Sequence, residues 1–178
     1  MFKPEHRSSI KEVKFTIITV SSSRSSALLE GRDISDESGN LAVRILADLG
    51  CKFNSRYLVP NIPSMIKETV LTSIEKDESN LIITIGGTGI SGRDVTVDTL
   101  SPLMEKRLTG FEFLFFFLSY MQIGPDIVLS RACAGVIKNS LIVCLPGSKK
   151  AVKLALEKII GPELPHLIYH LREAKRRF

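Results

Sequence analysis

Three short runs rich in Val, Ile and Thr alternate with segments whose apolar residues recur every three to four positions, and few folds accommodate that order. Residues 13–20 (VKFTIITV), Lys52–Val59 and Leu81–Ile85 read as strands. The first and third are apolar enough to require burial on both faces, as in the middle of a parallel sheet. Between the first two, Leu41, Ile45, Leu46 and Leu49 repeat at helical spacing after Ser35 and Asp36, and Gly50 is placed to stop that helix. Between the second and third, Ile62, Ile66, Val70 and Ile74 repeat every four residues, with Pro63 suited to the first turn. Strand, helix, strand, helix, strand predicts an α/β protein with helices on both faces of a mostly parallel sheet.

The remaining segments add detail. Residues 21–33 are too Ser-rich for a packed element and read as a loop. A helical region over 96–120 is interrupted near Pro102 and Thr109-Gly110. Residues 132–137 and 140–145 are set to pair as a hairpin around Lys138-Asn139, since Asn tolerates the left-handed backbone of a two-residue turn. Residues 149–160 read as the last long helix. The expected organisation is a polar arm at 1–12 and one domain over 13–178, a length that buries a self-sufficient core.

Composition narrows the function classes. Hydrophobic content of 44% and charged content of 24% are ordinary globular values. No contiguous apolar stretch reaches the eighteen or so residues of a membrane span. The start, Met1-Phe2-Lys3-Pro4-Glu5-His6-Arg7, lacks an apolar signal core, so the expected setting is cytoplasmic and away from membranes. Much of the +5 net charge sits at Arg172, Lys175, Arg176 and Arg177, either a solvated end or a surface for an anionic partner. Neither zinc-finger spacing nor an aromatic ribonucleoprotein motif is present, so nucleic acid is not an expected partner. Cys51, Cys133 and Cys144 form no CxxC and are expected as free thiols, with Cys133 and Cys144 opposite each other in the hairpin. His166 and His170 lie four apart without a carboxylate or Cys companion at ligand spacing.

The strongest chemical signal is Gly86-Gly87-Thr88-Gly89-Ile90-Ser91-Gly92-Arg93-Asp94, directly after the third strand. Ligands of open α/β sheets bind at that end of the strands. Glycines let backbone N–H groups approach a phosphate. Thr88 and Ser91 add hydroxyls, and Arg93 can hold an oxyanion through two parallel bonds. Asp94 beside such donors implies a metal or a proton between carboxylate and phosphate. The loop matches neither a Walker motif nor a dinucleotide fingerprint.

The run GGTGISGRDVTVDTL resembles the glycine-rich signature of the MoaB/MogA family of molybdenum cofactor biosynthesis. Other segments resemble it in order: Thr19-Val20-Ser21 with Arg24, Asp36-Glu37-Ser38-Gly39, Ser130-Arg131-Ala132 with Ala134-Gly135, and Leu145-Pro146-Gly147-Ser148. The resemblance implies a three-layer αβα sandwich, assembly into trimers or hexamers, and transfer of AMP from Mg-ATP to the terminal phosphate of molybdopterin. It further implies Mg²⁺ at Asp94 and phosphate at Gly86, Gly87, Thr88, Gly89, Ser91 and Arg93. Asp36 and Ser38 would line the same pocket. Ser130 and Arg131 would meet the pterin or its phosphate, and Pro146, Gly147 and Ser148 the nucleotide. Lys149 and Lys150 are either phosphate contacts or a solvated helix start.

This chain also departs from the pattern. Val59-Pro60-Asn61 puts Asn where the family's enzymes carry a catalytic Asp, and Phe113 and Phe116 replace the usual Glu and Arg. Three functions therefore stay open: a molybdopterin adenylyltransferase, a molybdopterin-binding or assembly protein with little catalysis, and a CinA-like hydrolase of ADP-ribose. Residues 113–118 (FLFFFL) would present apolar side chains in every direction on a helix, more than one core can cover. A homo-oligomer with part of this segment in its interface is the expectation.

Overall fold

Strand β1 (Lys14–Val20) is buried along all but its first residue, as its β-branched composition requires. In the computed structural model, which describes residues 13–175, it lies inside a six-stranded sheet of order β2-β1-β3-β6-β5-β4. The arm at 1–12 and the last two basic residues of the tail, Arg176 and Arg177, lie outside the described residues. Strands β2 (Lys52–Val59), β3 (Leu81–Ile85) and β6 (Ser140–Leu145) join β1 in parallel. Strand β5 (Cys133–Ile137) runs against β6, and the two-residue β4 (Lys106–Arg107) runs against β5. The hairpin turn places Lys138 and Asn139 at φ +46° and +67°, the mirror-image turn that matches strand twist.

Alternation along the strands divides the core in two. Phe15, Ile17, Leu81, Ile83, Leu141 and Val143 face one helical layer, while Ile18, Ile82, Ile142 and Cys144 face the other. The first layer holds α2 (Glu37–Asp48), α5 (Thr109–Ile123), α6 (Lys149–Leu154) and α7 (Gly161–Lys175). The second holds α3 (Pro63–Glu75) and α4 (Thr96–Leu100). This is the three-layer sandwich.

Four details differ from the sequence reading. Residues Ser22–Leu29 form a helix, α1, capped by the Ser21 hydroxyl; it buries no side chain and so carries no apolar period to read. The 96–120 region contains β4, invisible beforehand because both its residues are charged. Gly135 accommodates that edge: a Cβ there would lie 2.6 Å from the Lys106 carbonyl oxygen. The helix starting at Lys149 does not end at 160 but continues through a π-helical turn, Ala155–Ile160, into α7. Finally, Thr109–Leu129 spans 21 residues and is long and apolar enough to cross a membrane, because the 3-10 turn Gly124–Leu129 prolongs α5 past Glu112 and Gln122, which broke the contiguous run in the sequence. Its backbone breaks at Gly124 (φ +66°), and Phe111 and Phe115 are packed into the core.

All four parallel strands end at the same edge of the sheet. Reversal of β5 brings the residues before it, Ser130 and Arg131, to that edge as well. Motifs scattered through the chain thus converge.

Candidate functional site

The loop after β3 is shaped by contacts that only glycine permits. Gly86 (φ +109°) passes so close to β1 that a Cβ would lie 2.3 Å from the Val20 carbonyl oxygen. At Gly87 (φ +65°) a Cβ would lie 2.4 Å from Thr96 Oγ1 and 2.7 Å from Asn61 Oδ1. The carbonyls of Gly86 to Gly89 are all engaged. Thr96 Oγ1 donates to Gly86 O (2.9 Å) and Thr96 N to Gly87 O (3.0 Å). Arg131 donates from its backbone N to Thr88 O (2.9 Å) and from Nε to Gly89 O (2.8 Å). The N–H groups of Gly87, Thr88 and Gly89 have no acceptor among the described residues. Engaged carbonyls and uncommitted donors are the arrangement that an anion cradle requires.

Beside it lies a cavity of about 470 Å³. Gly87, Thr88, Gly89 and Asp94 form one wall, Pro146, Gly147, Ser148 and Lys150 a second, and Ser130 contributes nearby. The third wall is apolar: Phe115, Ile123, Ile127, Leu129 and Leu154, with the polar Ser119, Gln122 and Asp126 interspersed. The sequence reading did not place α5 in the site. Its phenylalanines signalled only an interface, although Gln122 and Asp126, four apart, mark a polar stripe within that apolar stretch.

Asp94 reaches the cavity and accepts a bond from Ser91 N (3.1 Å) through Oδ2. Among the described residues no set of three His, Cys, Asp or Glu side chains is arranged to hold a metal. A single carboxylate fits Mg²⁺ that arrives on phosphates, since that ion keeps waters and takes one or two protein ligands. Ser130 also lines the cavity, and its buried hydroxyl has no partner.

Several expected site residues act elsewhere. Asp36 does not line this cavity. It caps α2 by accepting from Gly39 N (3.0 Å) and also accepts from Thr19 Oγ1 (2.5 Å) and Arg56 Nη2 (2.7 Å). Burial pushes its carboxyl up, but the bonds from Thr19, Arg56 and Gly39 outweigh it and hold the group below its ordinary range. Ser38 is buried beneath the site and donates to the Gly147 carbonyl (2.8 Å). Arg131 is spent: Nη1 and Nη2 grip the Asp98 carboxylate at 2.7 and 2.9 Å, and Nη2 also reaches Asp94 O at 2.7 Å. It staples the loop rather than facing a ligand, and its bond to Asp98 lowers that carboxyl's pKa. Ser91 and Arg93 are exposed outside the lining, with Arg93 N donating to Ser91 Oγ (3.2 Å). Gly86 lies under the loop. Asn61 sits behind Gly87, its N bonded to Ser22 Oγ (3.0 Å) and its buried Oδ1 without a partner. His166 and His170 approach within 2.8 Å through their Nε2 atoms, on α7.

The family described as "Probable molybdopterin binding domain" matches residues 16–166, nearly the whole described chain. The chain belongs to that family. A relative from Methanocaldococcus jannaschii, named "Probable molybdopterin adenylyltransferase", is 42% identical over 92% of this chain and 97% of its own length. The crystal structure of a molybdenum cofactor biosynthesis protein B superposes with a TM-score of 0.82 at 36% identity, covering 90% of this chain and 96% of the other. The protein CinA of Thermoplasma acidophilum, at 15% identity and a TM-score of 0.60 over 87% of this chain and 98% of its own, shares the fold alone.

Proposed function

We propose that this chain is a molybdopterin adenylyltransferase of cytoplasmic molybdenum cofactor biosynthesis. A terminal phosphate oxygen of molybdopterin attacks the α-phosphorus of ATP; the bond to the bridging oxygen breaks, and pyrophosphate leaves. Asp94 would hold Mg²⁺, and that ion would supply charge neutralisation on the phosphates. The chain's own contribution is position: fixed N–H donors at Gly87, Thr88 and Gly89, and an apolar wall for the pterin. The carrying observation is the loop itself, with the carbonyls of Gly86 to Gly89 engaged and the N–H groups of Gly87, Thr88 and Gly89 uncommitted in a cavity wall that also holds the Asp94 carboxylate.

A non-catalytic binding or assembly role is the second reading. It is favoured by Asn61, which carries no charge where the resemblance implies Asp. The hydrolase reading rests on the fold alone. We further propose a homo-oligomer, a trimer or a hexamer built from trimers. Phe111 and Phe115 fill the core, but Phe113 is 69% and Phe117 53% exposed, and Tyr120 and Met121, three and four residues further along α5, are exposed as well. Such a face exceeds what isolated surface apolar residues explain.

The test is to incubate the protein with Mg-ATP and molybdopterin and look for adenylylated pterin by mass spectrometry. Product is expected, and Asp94→Asn should lower turnover strongly with the fold retained. Tight pterin binding without product would replace the enzyme reading with the binding one.

A further inference from the structure

We infer that Lys150 is the basic side chain of the cavity lining that holds the phosphate end of its ligand. The inference rests on the proposed function, because it takes the ligand to be a phosphorylated pterin.

The cavity lining carries two carboxylates, Asp94 and Asp126, and backbone donors that bear only partial charge. A phosphate entering it meets repulsion that a cation in the wall must offset. Four basic side chains lie in the segments that build the site, and three are accounted for. Arg131 is gripped by Asp98 and by the carbonyls of Gly89 and Asp94. Lys149 pairs with Glu37 at 2.5 Å, an interaction that lowers the Glu37 pKa. Arg93 is exposed and outside the lining. Lys150 lines the cavity and has no ion pair among the described residues.

Local geometry separates two adjacent lysines. Ser148 caps α6 by accepting from Ala151 N (3.2 Å), which fixes where the helix begins. Residues 150, 151 and 154 then share a face, and Lys150, Ala151 and Leu154 all line the cavity. Lys149, one step of about 100° away, is turned to α2. The segment before α6 abuts the glycine loop: a Cβ at Gly147 would lie 3.9 Å from the Gly86 Cα. The ammonium and the free N–H groups therefore belong to one end of the cavity. Phe115, Ile123 and Ile127 line the same cavity, and the inferred ligand lies with its phosphate toward Lys150 and its ring system on α5. A lysine suits this task because its flexible stem carries a compact charge that can follow a phosphate.

The experiment compares Lys150→Met, Lys150→Arg and Lys149→Met with the unaltered protein. Affinity is measured by fluorescence titration for molybdopterin and for the same pterin with its phosphate removed. Circular dichroism and light scattering check fold and mass. Lys150→Met should weaken molybdopterin binding by about tenfold or more, the scale of one charge-assisted contact. It should leave the dephosphorylated compound unaffected, and Lys150→Arg should recover most of the loss. Lys149→Met should bind as the unaltered protein does. Equal molybdopterin affinity in Lys150→Met, or equal losses for both compounds, overturns the inference. If the unaltered protein binds neither compound, the proposed function fails, and the inference falls with it.

Discussion

The two walls that face each other across the cavity are held by different forces. The glycine loop contains little apolar surface and is fixed by directional bonds: Thr96 and Arg131 supply every donor that the carbonyls of Gly86 to Gly89 use. The α5 wall carries few such bonds and is fixed by packing, with Phe111 stacked on Phe115 at a centroid separation of 5.9 Å. Its opposite side, bearing Phe113 and Phe117, is uncovered. Directional bonds to buried partners define atom positions to fractions of an ångström, which suits the placing of phosphate oxygens. Packing defines a surface, which suits the accommodation of a ring. The loop is complete within one chain, whereas the outer side of the helix is left bare.

Breaking the loop should have the largest effect. In Gly87→Ala the new methyl group meets Thr96 Oγ1 and the backbone sits at φ +65°, so the donors must move. Adenylylation is expected to fall by on the order of 100-fold, the scale of a lost oxyanion donor, while circular dichroism stays native. Retained turnover would mean that the loop's shape matters less than its bonds. Next comes Arg131→Met, which frees the Gly89 carbonyl and leaves Asp98 unpaired. Molybdopterin affinity should drop by about tenfold. Arg131→Lys should not restore it, because a lysine cannot grip Asp98 and the carbonyl of Gly89 together.

On the opposite wall, Phe113→Ser with Phe117→Ser should reduce the mass seen by light scattering at micromolar concentration. Turnover per chain should change by less than about threefold, since neither residue lines the cavity. A monomeric unaltered protein would contradict the assembly, and an unchanged mass in the double variant would remove its stated cause. The smallest effect is expected at Asp36, which lines neither wall. A carboxyl held low in the folded state stabilises above its unfolded pKa of about 3.9 and loses that contribution as pH falls through the lower folded value. Asp36→Asn should therefore lower Tm by about 2–4 °C at pH 7, and the gap should close below about pH 4. A gap independent of pH would show that the Asp36 cap matters through shape alone.

Much of the scaffold was legible because its signals are local. Strands β2, β3 and β6 run over the residues that their composition marked, and the Asp36 cap and the Lys138-Asn139 turn stand where their side chains indicated. The glycine loop was legible as a ligand loop for the same reason. The role of Arg131 was not, because its partner Asp98 arrives from another segment and nothing in the Ser-Arg-Ala motif reveals it. Asp36 was misplaced since a cap and a ligand contact look alike in sequence. The cavity's third wall was hidden by its own composition, where Phe115 serves the core, Phe113 is exposed and Ile123 faces the cavity within one apolar run.

The strand order also affects synthesis on the ribosome. Strand β3 ends at Ile85, but its neighbour β6 begins only at Ser140, and the sheet cannot close until that later stretch has emerged. During that interval the Leu81–Ile85 edge, apolar on both faces, stands without a neighbour on one side. Pairings this distant form slowly, and an open apolar edge is prone to join another nascent chain. A pause in translation between these two strands would therefore expose the chain to aggregation more than one after Leu145.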